Sequence, residues 1–220
     1  MNPIFDADCR RCPRLAAFLD AVHAEEPDYY CRPVPPFGDP AARIVLVGLA
    51  PGMHGANRTG RPFTGDHAGI LLYRTLYKFG LASGPESLAA DDGLTLLDAR
   101  ITNSVKCLPP ANKPLPAEVK ECNAYLRAEL ERSHSARVIL ALGAIAHAAV
   151  LRAYDLPMSA FRFAHAAEHA LGSGRVLLDS YHCSRYNTQT RRLTTEMFEG
   201  VIERARDLAH LEFPTEGGGP

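Results

Sequence analysis

The sequence predicts an α/β fold built on a mostly parallel sheet with helices on both faces. Four short apolar runs, at 43–47, 100–105, 137–142 and 175–180, are bounded by turn residues and read as strands. Segments with apolar residues at helical spacing, at 67–79, 116–132, 144–152 and 191–208, follow those strands one by one. No internal repeat interrupts the alternation, and helical connections between parallel strands cross over with right-handed sense.

The 220 residues read as one domain, 1–220, long enough to bury a proper core. A short helix is expected over 14–23, followed by a proline-rich passage at 29–36 that is too rich in Pro for regular structure. The first strand, 43–47, is dominated by β-branched residues and stops at Gly48. Residues 83–96 read as a loop or short helix carrying acidic side chains. The helix at 116–132 starts with Pro116, where a missing N–H costs nothing. The tail from about 214 to 220 reads as disordered.

Composition narrows the function classes. Hydrophobic content is 46%, charged content is 22% and the net charge is −1, so no global basic field advertises nucleic acid, and any such binding must rest on a local patch. The N-terminus lacks a basic and apolar leader, and no apolar run of about eighteen residues is present to span a bilayer. The expectation is a cytoplasmic protein with no membrane partner, acting as a monomer.

The stretch from Gly48 to Asp66 is the most informative. It is a long Gly- and Pro-rich connection at the carboxyl end of a strand, the position where open α/β sheets bind ligands. Glycines there let backbone N–H groups approach an anion or a carbonyl oxygen. The loops after strands one, two and four gather at one sheet edge, bringing 49–66, Asn103 onward and 181–187 into one site.

Six cysteines in a cytoplasmic chain argue for metal or catalysis over disulfides. Cys9 and Cys12, with Cys107 and Cys122, supply four thiolates from distant parts of the chain. That set suits structural zinc or a 4Fe–4S cluster, and the wide second spacing favours iron–sulfur. Four unconnected buried cysteines are the plain alternative. Cys31 and Cys183 lack such partners.

Taken together, Gly48 to Pro51, the run from Gly55 to Asp66, Thr102 and Asn103 ahead of Cys107, and His182 with Ser184 and Asn187 resemble the type B (family five) uracil-DNA glycosylases over roughly residues 9–208. The neighbouring iron–sulfur glycosylases share the cysteine frame but usually carry Glu where Leu49 stands. The resemblance implies a three-layer α/β/α sandwich around a four-stranded, mostly parallel sheet, with a 4Fe–4S cluster of structural role. It implies monofunctional removal of uracil, and of hypoxanthine or xanthine, from double-stranded DNA, without a lyase step. The chain departs from the pattern at Gly52, usually Ala, and at Cys183, usually Pro, where the change is expected to loosen the loop and leave an oxidisable thiol.

Within that reading Phe63 is a stacking platform for a flipped base, against the alternative of a core residue. Asn103 reads the base edge, because an amide donates and accepts at once; otherwise it satisfies turn backbone. The resemblance places Asp66 to orient or activate water, while its position before a helix also makes it an N-cap. His182 donates a hydrogen bond to the leaving base. Backbone around Gly48, Leu49, Ala50 and Gly52 holds a base carbonyl, and His54 and Asn57 add polar contacts. Ser184, Arg185, Tyr186 and Asn187 fill the vacated space and grip phosphate, with Arg58, Arg61, Arg191 and Arg192 extending the patch. The rival readings are a hydrolase of free nucleotides and a non-catalytic, redox-sensing DNA-binding protein.

Overall fold

The computed structural model describes residues 5–210, so the tail expected to be disordered lies outside the described residues. The elements run α1 (Pro13–Glu25), β1 (Phe37–Gly38), β2 (Ile44–Gly48), α2 (Ala56–Thr59), α3 (His67–Lys78), β3 (Ala99–Asn103) and α4 (Pro116–Arg132). They continue with β4 (Val138–Leu142), α5 (Ala144–Ala153), β5 (Glu168–Gly172), β6 (Arg175–Ser180), α6 (Arg185–Gln189) and α7 (Thr195–His210).

The strands form one sheet in the order β1-β3-β2-β4-β6-β5. Its centre is the expected set of four parallel strands, and the described residues add an antiparallel strand at each edge. Both edges escape the sequence pattern for physical reasons. β1 has only two residues. β5 joins β6 through Ser173 and Gly174, a turn in which Gly172, Ser173 and Gly174 all have positive φ, so the Gly-Ser-Gly signal marks a hairpin.

Side-chain alternation builds three layers. Ile44, Leu46, Leu140 and Leu178 face α3 and α7, packing on Leu72, Tyr73, Leu76, Phe198 and Ile202. Val45, Val47, Ile139 and Leu177 face α4 and α5, packing on Leu126, Leu130, Ala146 and Val150. β2 and β4 are buried at every position, as expected of parallel strands covered on both faces. Each fully buried Leu or Ile contributes about 1.5–3 kcal/mol relative to exposure.

α1 lies outside these layers and packs Leu15, Leu19 and Val22 against Val105, Leu108 and Tyr125. Arg14 anchors it by donating twice to Glu118 on α4, at 2.8 and 2.7 Å. Glu118 also accepts from the Leu115 N–H at 2.7 Å, satisfying an amide at the start of α4.

The register sets the functional edge. Gly48 pairs with Asn103 and Leu142 pairs with Ser180, so the parallel strands end side by side and their loops leave together. The expected long helix from 191 starts four residues later, at Thr195, and the loop after β6 contains its own short helix, α6.

Candidate active site

A cleft of about 590 Å³ opens at this edge, lined by Leu49, Ala50, Gly52, His54, Phe63, Asp66, His182, Ser184 and Arg185 among others. The three loops predicted to converge do converge there.

Asp66 caps α3: its Oδ1 accepts from the Gly69 N–H at 2.8 Å. Its Oδ2 faces the glycine loop, 3.6 Å from where a Cβ on Gly52 would sit and 2.7 Å from one on Gly55. One oxygen therefore serves the helix, and the other is left toward the cleft. Burial pushes its carboxyl above the ordinary range, against the opposing effect of the Gly69 and Ala68 amides. An alanine at position 52 would make only an ordinary contact, so the departure at Gly52 alters the room beside Asp66 and not the fold.

Phe63 holds a left-handed backbone, φ +56°, which is costly for a bulky residue. Its surroundings fix it there: Tyr73 donates to the Pro62 carbonyl at 2.7 Å, and Thr64 pairs with Ser87 through their hydroxyls at 2.7 Å. The ring is 6% exposed yet lines the cleft, stacked on His182 at 5.8 Å and 28°. The ring thus belongs to the core cluster and also borders the cleft.

Asn103, at the end of β3, is buried, and its Oδ1 has no hydrogen-bond partner. A Cβ on Gly48 would lie 2.4 Å from that oxygen and 2.7 Å from the Phe63 ring, so only glycine allows amide and ring to converge. A buried orphaned acceptor is costly, and a ligand donor at this spot would satisfy it.

Burial lowers the His182 pKa to about 4, so the imidazole is neutral near pH 7. Its carbonyl accepts from Asn187 Nδ2 at 2.8 Å, while neither ring nitrogen is hydrogen-bonded among the described residues. Ser184 caps α6 by accepting from the Asn187 N–H at 3.4 Å. Cys183 is fully buried in the core. The expectation of an oxidisable loop thiol is therefore corrected: burial raises this thiol's pKa and removes it from solvent.

The amides of Gly52, Met53 and His54 donate to no acceptor among the described residues, and backbone pairing resumes with Gly55 donating to Gly52. His54 is exposed on the rim and pairs with the Tyr29 hydroxyl at 2.8 Å. Asn57 sits elsewhere: fully buried, it donates to Cys31 Sγ at 3.4 Å. It does not line the cleft, and its Oδ1, like that of Asn103, is buried without a hydrogen-bond partner.

Arg61 is corrected as well. Its guanidinium is buried, donating to Asp92 at 2.6 Å, to Ser87 at 3.1 Å and to the Ala90 carbonyl, with Phe37 stacked 4.3 Å away. Asp92 also receives the Leu88, Ala89 and Leu94 amides and is held down at about 2. This arginine ties loop 83–96 to the strained Phe63 segment. By contrast Arg185, Arg191 and Arg192 are exposed with no carboxylate partner among the described residues, and Arg58 is exposed, spending its Nε on the His54 carbonyl. Tyr186 is 70% exposed. Replacing Arg61 by Ala is expected to cost about 1.5–3 kcal/mol of stability, because it removes the charge-assisted bond to Asp92 and leaves Ser87 and the Ala90 carbonyl without their donor. Replacing Arg191 by Ala is expected to leave melting unchanged and to lower the salt slope of DNA binding by about one. Thermal melts and anisotropy titrations across salt check both.

The four cysteines come together as expected. Cys9, Cys12, Cys107 and Cys122 line one hollow with Leu15, Val105 and Tyr125. Cys12 directly precedes α1, Cys122 lies on α4, and the Arg14–Glu118 and Arg11–Glu121 pairs draw these helices together. Lys106, between the cluster and β3, is buried and donates to Glu129 at 2.8 Å, facing away from the cleft.

Sequence reasoning missed a buried network in which Asp179 pairs with His147 at 2.8 Å and His169 at 3.1 Å. His169 reaches Asp179 only through the unforeseen β5 hairpin. It also missed His67, whose Nε2 pairs with the Thr188 hydroxyl at 3.1 Å and ties α3 to α6 across the cleft.

A deep cleft at the carboxyl edge of a three-layer sheet, holding a carboxylate, a neutral imidazole and an aromatic platform, is the arrangement of an enzyme that handles a planar ring. The profile of the Uracil DNA glycosylase superfamily matches residues 35–206, and the chain belongs to that superfamily. It is 52% identical to the type-5 uracil-DNA glycosylase of Thermus thermophilus over 92% of this chain and 94% of the relative. It is 42% identical to the type-5 enzyme of Pyrobaculum aerophilum, covering 90% and 88%, and 43% identical to that of Mycobacterium bovis, covering 93% and 79%. A type-4 uracil-DNA glycosylase of Archaeoglobus fulgidus is 36% identical over 67% of this chain. Within the superfamily the chain belongs to the type-5 family.

Proposed function

We propose that this chain hydrolyses the N-glycosidic bond of uracil in DNA, leaving an abasic site, and that other deaminated bases such as hypoxanthine and xanthine enter the same cleft. The observation that carries the reading is the convergence of Asp66 Oδ2, His182 and Phe63 on one cleft, with the orphaned Asn103 Oδ1 behind the ring.

A base inside a duplex is out of reach, so the nucleotide must swing out of the stack. Phe63 supports one face of the flipped ring. Asn103 offers an acceptor to the imide N–H and an amide donor to the neighbouring carbonyl. The free amides of Gly52, Met53 and His54 are a set of donors for a base oxygen.

As the bond lengthens, the sugar gains positive charge and the base gains negative charge. Asp66 Oδ2 stabilises the cationic sugar and takes a proton from the attacking water, whose oxygen becomes bonded to the sugar carbon. His182, being neutral, donates its ring N–H to the departing base, which leaves as an anion and is protonated from solvent. Lys106 is locked on Glu129, so no amine stands ready for a lyase step.

The cysteine hollow fits a 4Fe–4S cluster: four thiols among apolar side chains, Leu15, Val105 and Tyr125. Cys9, Cys12, Cys107 and Cys122 would hold it. When bound, such a cluster cross-links α1, α4 and the loop after β3, a structural role remote from the bond broken. The DNA phosphates would lie on Arg58, Arg185, Arg191 and Arg192. Among the described residues no helix is long and apolar enough to cross a membrane.

Uracil release measured against pH tests the assignment, with dUMP as the control for a free-nucleotide hydrolase. Asp66 must be ionised, so kcat/KM is expected to fall as pH drops through its raised pKa, above the ordinary carboxylate value of about 3.9. His182 stays neutral down to about pH 4, so His182→Gln is expected to lower the rate without moving that limb. A limb centred near 6.5 that vanishes in His182→Gln, or release from dUMP at a comparable rate, contradicts the reading.

A further inference from the structure

Beside the cleft runs a second groove, of about 530 Å³, between α3 and the loop at 85–88. The two share Gly65, Asp66, His67 and Arg185, so one continues into the other past the candidate catalytic carboxylate. Its walls carry Ile70, Leu88 and Pro85, with Arg74 on α3 and Arg185 at the junction.

Three features set it apart from ordinary surface. Ile70 and Leu88 are 55% and 65% exposed, large apolar side chains facing solvent next to a polar site. Arg74, like Arg185, has no carboxylate partner among the described residues, although Glu86 lines the same groove. The wall is also preformed: Asp92, itself paired with the buried Arg61, accepts from the Leu88 and Ala89 amides, and the Gly65 N–H donates to the Ser87 carbonyl at 3.1 Å.

We propose that this groove is a subsite for the nucleotide flanking the flipped one on the same strand. Its sugar and base rest on Ile70 and Leu88, and its phosphate lies on Arg74 and Arg185. A strand whose one nucleotide enters the cleft must leave past one of its rims, and this rim offers apolar contact and unpaired positive charge in continuity with the cleft. Glu86 works against phosphate here and limits affinity. The inference rests on the proposed action on DNA.

The test compares wild type, Arg74→Ala, Leu88→Ser and Glu86→Gln on three uracil oligonucleotides: one with long flanks on both sides, one cut short on the 5′ side of uracil and one cut short on the 3′ side. Expected is a several-fold rise in KM for Arg74→Ala and Leu88→Ser on the full substrate, with kcat nearly unchanged. That rise should disappear on only one of the two shortened substrates. Arg74→Ala should also lower the salt slope by about one, and Glu86→Gln should tighten binding. Equal effects on all three substrates, or none on any, overturn the subsite, as does an effect of Arg74→Ala that salt does not modulate. If wild type releases no uracil from the full substrate, the proposed function fails instead. Circular dichroism of each variant separates misfolding from lost contact.

Discussion

Asp66→Asn is expected to slow uracil release by a factor of about 10²–10⁴, the range for removing a positioned acid–base group, while the protein remains folded and still binds DNA. Asn is chosen because it caps a helix nearly as well as Asp, so the bond from the Gly69 N–H survives. What Asn cannot supply is the negative charge of Oδ2 beside Gly52 and Gly55. The substitution also relieves a desolvated carboxylate, whose pKa burial has raised, so melting should hold or rise slightly. Turnover, melting and DNA binding measured on one preparation decide the matter. A variant that loses stability and activity together would show that the cap, not the charge, is what matters.

Cys122→Ser is expected to remove iron from the purified protein, bleach its visible absorption and lower its melting temperature steeply. Structural metal sites supply of order 10 kcal/mol to the domains they hold. Here the affected layer is α1 and its packing on Leu108 and Tyr125, so the loss should concentrate in the N-terminal segment and spare the central sheet. Cys183→Ala is the matched control: that thiol is buried on the α3–α7 side and lies outside the hollow, so iron content should stay unchanged. Metal analysis and absorption spectra read both variants. Zinc in place of iron in the wild type, or iron retained by Cys122→Ser, contradicts the cluster.

The centre of the fold is legible because its strands are buried on both faces and read as unbroken apolar runs, Val138–Leu142 being one. The edges are not: Glu168–Gly172 is half-exposed and its partner is fixed by a turn, not by hydrophobicity. The cap at Asp66 is readable because it directly precedes an amphipathic helix, and its Oδ1 accepts from the Gly69 N–H while Oδ2 is left beside the glycine loop. Arg61 was misjudged because charge alone looks like a surface patch. Its partners, Ser87 and Asp92, lie 26 and 31 residues away and only the fold brings them near. The burial of Asn57 against Cys31 Sγ and of Cys183 among α3 and α7 is likewise set by packing between distant segments. The four cysteines come from distant parts of the chain, and only the fold brings them to one hollow between α1 and α4.

The most direct test of the central claim is a labelled duplex with a single uracil opposite guanine, incubated with the protein beside a thymine control and then treated with alkali. The account predicts a strand break at the uracil position alone, and none before alkali because, among the described residues, no lysine lines the cleft. An intact strand with folded, DNA-binding protein, or an equal break in the thymine duplex, would contradict it.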